Sequence, residues 1–283
     1  MIDETVAEIE EMQTHSSSVV AVKAARALED LLDREFATVE EYERALERNS
    51  SALRRANPSH ASLQTTQRAV VSRVADADTE SVADAKAATR ETIETVVESV
   101  ETAKAEAAAN VVSQLSDGTT VMTHDYSSTV LEAIEEAVAG GAYLEVYVTE
   151  ARPRYLGRKT ARTLAAIDRV ETHLVVDGAS GHYLPECDLV LLGMTAIVGE
   201  RLYNRVGTYP LVATAAHADV PATVVGSSAK IVGDPFQFEN EFRSPSEVIR
   251  EPAEGFAVDN PAYDATPVEL LDSVVTDEGE VKF

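Results

Sequence analysis

The texture of the chain changes at Ser116-Asp117-Gly118, and the pattern beyond that point constrains the fold more than any other feature. Short apolar runs alternate there with helical ones. Thr119–Thr123 reads as a strand, Ser127–Ala139 as a helix, and Tyr143–Thr149 as the next strand. Thr160–Ile167 is helical, Glu171–Val176 and Leu189–Gly193 are strands, Tyr209–Ala218 is a helix, and Ala222–Val225 is a strand. Such alternation predicts a mainly parallel sheet covered by helices on both faces, a Rossmann-like α/β domain. Ligands of these sheets sit at the carboxyl ends of the strands, so the informative loops follow Thr123, Thr149, Val176, Gly193 and Val225. The tail from Asp234 carries five prolines and little periodicity, and is expected to wrap the surface or fray.

Residues 1–116 read as a helical N-terminal domain and 117–283 as the α/β domain with its tail. In the first, Val19, Val20, Ala24, Ala27, Leu28, Leu31 and Leu32 fall at helical spacing, and Glu40–Leu53 continues as a charged helix. Ile93, Val96, Val97, Val100, Ala103, Ala107 and Val111 make one apolar stripe on a long helix over 79–115. There is no G-x-G-x-x-G, Walker loop or H-E-x-x-H. His15, His60, His124, His173, His182 and His217 show no metal-ligand spacing, and Cys187, alone, cannot form an internal disulfide. Neither a cofactor nor a metal is expected, and Cys187 is read as packing.

Asp and Glu number 49 against 24 Lys and Arg, a net charge of −25. Such a surface repels phosphate backbones, which argues against nucleic-acid binding. Charge this dense suits a halophile's cytoplasm, where salt cuts the screening length to about 3 Å at molar strength. No apolar run reaches the roughly 18 residues that span a bilayer. The acidic start MIDETVAEIEEM lacks the basic, then apolar pattern of an export signal, so a cytoplasmic location is expected.

The informative loops carry five motifs in order. They are Thr123-His124-Asp125-Tyr126-Ser127, Glu150-Ala151-Arg152-Pro153, Gly157-Arg158-Lys159-Thr160-Ala161, Gly193-Met194-Thr195-Ala196 and Asn204-Arg205-Val206-Gly207-Thr208-Tyr209. Together with His15–Leu28 and Pro58–Arg68, they resemble the family that holds the translation initiation factor 2B α, β and δ subunits, methylthioribose-1-phosphate isomerase and ribose-1,5-bisphosphate isomerase. The family's motifs read approximately T-H-C or T-H-G, E-S-R-P, G-R-x-T-A, G-A-D-A and N-K-x-G-T. The resemblance covers roughly residues 10–245 and implies a helical domain followed by a Rossmann-like one.

The departures bear on function. The family's isomerases place a catalytic cysteine where this chain has Asp125 and a catalytic aspartate where it has Thr195. Isomerisation needs an acid and a base on opposite sides of the sugar, and threonine is neither near neutral pH. No catalytic residue is therefore assigned, and Asp125 is read either as a helix cap or as a substitute base. The resemblance then implies a probable non-catalytic, initiation-factor-2B-like regulatory or assembly subunit that binds a sugar or nucleoside phosphate. The alternative is an aldose–ketose isomerase with replaced catalytic groups. Expected phosphate contacts are Ser16, Ser17, Arg68, Arg152, Asn204, Arg205 and Lys230, and Leu156 stands where some family enzymes carry a substrate-touching glutamine. The resemblance also implies a homodimer or larger oligomer, possibly with related subunits.

If the charge is an adaptation to salt, screening holds the fold together. Thermal melts in molar KCl and in dilute buffer are expected to differ by many degrees; equal midpoints would remove the halophile argument.

Overall fold

A computed structural model describes residues 2–11, 16–233, 236–251 and 254–283. His15 lies outside the described residues. The chain divides into two compact units, 1–103 and 104–283.

The first unit is helical: α1 (Ile2–Glu10), α2 (Ser17–Ala27), α3 (Val39–Ala56), α4 (Ala61–Asp76) and the first turns of α5 (Val82–Val111). Its core gathers Leu28, Leu31, Tyr42, Leu46, Leu53, Leu63 and Ile93, all essentially inaccessible to solvent. The start of α3 is fixed by a reciprocal cap. Thr38 accepts the Glu41 N–H through its hydroxyl, and the Glu41 carboxylate accepts the Ala37 N–H. The buried Tyr42 hydroxyl donates to Thr89 Oγ1 at 2.7 Å, so burying it leaves no orphan polar atom. Ile93, Val96 and Val97 face this core as the stripe predicted. Val19 is half exposed, a correction: helix α2 turns Val20, Ala21, Ala24 and Ala25 inward instead.

The second unit carries a seven-stranded sheet. Its strands are β1 (Thr120–His124), β2 (Leu144–Thr149), β3 (Val170–Val175), β4 (Leu189–Gly193), β7 (Ala222–Val225), β10 (Ser273–Thr276) and β11 (Gly279–Val281). Their order is β11-β10-β7-β4-β1-β2-β3, and every pairing is parallel except β10 with β11. Helices α6 (Ser128–Ala139), α7 (Gly157–Leu164), α8 (Ser180–Tyr183) and α9 (Thr208–His217) complete the α/β layers. One core centres on Ile134, Leu144 and Leu191, the other on Met122, Val190, Leu192 and Val212. The adjacent strands β1, β4 and β7 are buried on both faces, as apolar runs in a parallel sheet should be. No described helix is long and apolar enough to cross a membrane.

Four further strands, β5 (Ala196–Val198), β6 (Arg201–Arg205), β8 (Ile231–Val232) and β9 (Tyr263–Pro267), form a second sheet in the order β8-β5-β6-β9. The tail is thus built in where described: β9 pairs antiparallel with β6, and β10 and β11 extend the main sheet. Its expected fraying is corrected, because backbone pairing and apolar residues such as Val274 and Val275 hold it.

Glycine is required where α7 begins. A Cβ on Gly157 would overlap the Thr149 carbonyl oxygen, backbone that cannot swing away. Gly157→Ala is expected to cost about 1–3 kcal/mol in urea unfolding, as overpacked sites do. Gly178→Ala, with nothing within 4 Å of its Cβ, should be near neutral.

Cys187 packs in the second core, and burial pushes its thiol up to about 12. It should resist a thiol reagent at pH 8 in the native protein and react once urea unfolds it. Rapid native labelling would contradict its place in the core.

Candidate functional site

The carboxyl ends of β1 and β2 open into a cleft of about 310 Å³. Asp125 follows β1, Arg152 follows β2, and Arg205 ends β6; all three line it. Asp125 and Ala151 hold positive φ, 65° and 57°, a rare setting for residues with a Cβ. Each is pinned by hydrogen bonds. The Thr160 hydroxyl donates to the Asp125 carbonyl at 2.6 Å, and Asp177 accepts the N–H groups of Ala151 and Arg152, each at 2.7 Å. Asp125 does not cap α6: Ser127 does, accepting the Val130 N–H. The Asp125 carboxylate is thereby left to the cleft, where Arg205 Nε lies 3.6 Å from it.

The cleft concentrates positive charge in an acidic protein. Arg152, Arg154, Arg205 and Arg243 line it with two carboxylates, Asp125 and Glu247. Burial, then the fields of Arg243 and Arg205, pushes the Arg154 guanidinium below its ordinary value. Burial opposes the Arg205 charge too, but Tyr263, Asp125, Glu241 and Glu247 together outweigh it and hold the group above its ordinary value. Its guanidinium rests over the Tyr263 ring, 4.7 Å from the centroid. Arg243 grips Glu247 with two nitrogens, at 2.9 and 3.0 Å, and Asn260 donates to the same carboxylate. Guanidinium groups crowded this way gain from an anion, and their forks match phosphate oxygens.

The Asn204–Tyr209 loop is held from three sides. Asn204 is buried and donates to the Gly193 carbonyl at 3.0 Å and to Thr208 Oγ1 at 3.2 Å, while Thr195 Oγ1 donates to its Oδ1 at 3.2 Å. Gly207 has φ +107°, and a Cβ there would meet His124 Cε1 at 2.6 Å. The His124 ring nitrogens pair with Thr149 Oγ1 at 2.6 Å and with the Val206 carbonyl at 3.0 Å. Asp264 Oδ2 accepts the N–H groups of Gly207 and Tyr209, at 2.8 and 3.0 Å, so the protein's own carboxylate fills the α9 N-terminus.

Of the residues expected at the site, the structure brings Asp125, Arg152 and Arg205 together. Asn204 supports the loop and Thr195 bonds to it. Leu156, at the cap position of α7, is buried against the cleft. Lys230 is buried beside Met194 and lines a different part of the strand ends. Ser16, the N-cap of α2, Ser17, in its first turn, and Arg68, exposed on α4, belong to the first unit. The sequence reading missed Arg154, Arg243, Glu247, Asn260 and Asp264. Four of these lie in the proline-rich tail; the spacing Arg243-x-x-x-Glu247 was the one available signal.

Residues 13–282 match the initiation factor 2 subunit family, IF-2B. Ribose 1,5-bisphosphate isomerase of Haloterrigena turkmenica is 32% identical over 293 aligned residues, covering 98% of this chain and 88% of that one. The protein of the same name from Haloferax volcanii is 29% identical, covering 98% and 87%. Among solved structures, Pyrococcus horikoshii translation initiation factor eIF-2B superposes with TM-score 0.85 at 23% identity, over 99% of this chain and 96% of that chain. The 5-methylthioribose 1-phosphate isomerase of the same organism gives 0.83 at 20% identity, over 99% and 84%. The expectation of a non-catalytic regulatory subunit is corrected by these names, since the relatives that align with nearly the whole chain are called isomerases. It had rested on two substituted positions, Asp125 and Thr195, and one of them still places a carboxylate in the cleft. By its sequence match over residues 13–282, the chain belongs to the initiation factor 2 subunit family.

Proposed function

We infer that this protein is an intramolecular aldose–ketose isomerase acting on a phosphorylated pentose, with ribose 1,5-bisphosphate the first compound to test. The observation that carries the reading is the Asp125 carboxylate, set among four arginines at the strand ends of a chain whose full-length relatives are named for that reaction. Asp125 serves as the base, replacing the thiol that the family's isomerases are expected to use. Its oxygen lies 3.6 Å from Arg205 Nε, so a proton it accepts is taken up beside a fixed cation that also attracts the substrate's phosphate. Arg152 and Arg205 grip phosphate, and Asn204 fixes Arg205 through its own bonds to Gly193 and Thr208. Arginine holds its charge at any working pH, which keeps the grip independent of the proton transfers.

The protein in molar KCl is expected to convert ribose 1,5-bisphosphate to the corresponding ketose phosphate, followed by NMR of the sugar carbons. Asp125→Asn keeps the shape and removes the base, and should lower kcat by about 10²–10⁴. Arg152→Ala should raise KM several-fold with a smaller effect on kcat. Absence of turnover across a panel of pentose phosphates would sink the isomerase reading, and unchanged kcat in Asp125→Asn would move the base elsewhere.

A further inference from the structure

We propose that Lys230 is the proton donor of this site, supplying the acid that Thr195 cannot; the inference rests on the isomerase reading above. Lys230 closes the short turn Ser228–Lys230 that follows β7, and only 4% of its surface is exposed. Its Nζ donates to the Met194 carbonyl at 3.1 Å, one residue before Thr195. The register of the sheet brings these segments together, since Gly193 at the end of β4 lies opposite Val225 at the end of β7. Gly226 makes the room. A Cβ there would stand 2.9 Å from Met194 Cγ and 3.6 Å from Lys230 Cδ, where the lysine stem now runs.

No acidic group among the described residues pairs with Lys230. The Asp277 carboxylate, on the turn between β10 and β11, is engaged by the Ser228 N–H and hydroxyl, at 2.6 and 2.9 Å. An ammonium buried against one neutral carbonyl is costly, so stability does not explain the residue. Burial pushes its amine down to about 8, where it gives up and regains a proton near neutral pH. Thr195 links the lysine to the base. Its backbone continues from Met194, its hydroxyl bonds to Asn204, and the next residue, Arg205, faces Asp125.

For a ring sugar carrying phosphate at C1, the step balances as follows. The Lys230 ammonium gives a proton to the ring oxygen as the C1–O(ring) bond breaks. The hydrogen on C2 moves with its electron pair to C1, the C2=O bond forms, and the O2 hydroxyl proton passes to Asp125. The product is an isomer of the substrate, and proton exchange with water restores the ammonium and the carboxylate.

Three variants test the role. Lys230→Met should lower kcat at least about 100-fold with KM changed only a few-fold, as loss of a proton-transfer group does. Lys230→Arg keeps the charge but not a transferable proton, and should stay as inactive. Lys230→Cys alkylated to an aminoethyl side chain should recover activity, with the alkaline limb of its kcat profile moved to lower pH than in the parent. Lys230→Met should also raise Tm, which shows that it folds. The unfolded lysine binds its proton more tightly than the folded one, so parent stability rises as pH climbs from about 8 into the ordinary lysine range, and this advantage shrinks over that window. Full activity in Lys230→Arg, or in Lys230→Met, overturns the assignment and leaves the isomerase reading standing. A parent inactive on every sugar phosphate overturns that reading, and this one with it.

Discussion

The His124 ring rests against the backbone of Gly207, and the architecture of the strand ends depends on that contact. It joins the end of β1 to the turn between β6 and α9, two segments far apart in sequence. Both ring nitrogens are bonded, so the ring is a fixed wedge. Any side chain at Gly207 would both meet the ring and force a residue with a Cβ to φ +107°. With the turn so placed, Asn204 reaches the Gly193 carbonyl and Arg205 reaches Asp125. One close approach therefore sets the spacing of three motif loops.

The loops that matter were legible because their strands are buried on both faces and so read as apolar runs such as LVLLG. The second sheet was not. Its strands are two to five residues long and only partly buried, and Arg201–Arg205 reads RLYNR, with no alternation to find. The hairpin between β5 and β6 did leave a trace: its two-residue turn, Gly199-Glu200, opens with a glycine at φ +55°. The tail was obscured by its prolines, although β9 sets Tyr263 opposite Arg205 and Asp264 opposite Asn204. Those pairings span about sixty residues, a separation no local pattern encodes.

The acidity also has a part that solvation does not cover. Asp117, Asp188 and Asp272 accept the N–H groups of Tyr143, Thr120 and Ala222, each at or next to the first residue of a strand of the main sheet. Asp177 and Asp277 do the same for loops at the opposite ends. A carboxylate satisfies such a donor with a charge-assisted bond, stronger than a neutral one. Part of the negative charge thus works as backbone scaffolding, while Lys and Arg are drawn toward a few places where they meet.

Asp264 has a wider consequence. In many α/β proteins the backbone at a helix start holds the anion, and that part of the site cannot change without changing the fold. Here the start of α9 is taken by an internal carboxylate, and the cationic cleft is lined by side chains. Recognition built that way can be altered one residue at a time while the backbone beneath stays as it is. A chain of this design can drift between ligands of similar charge without refolding.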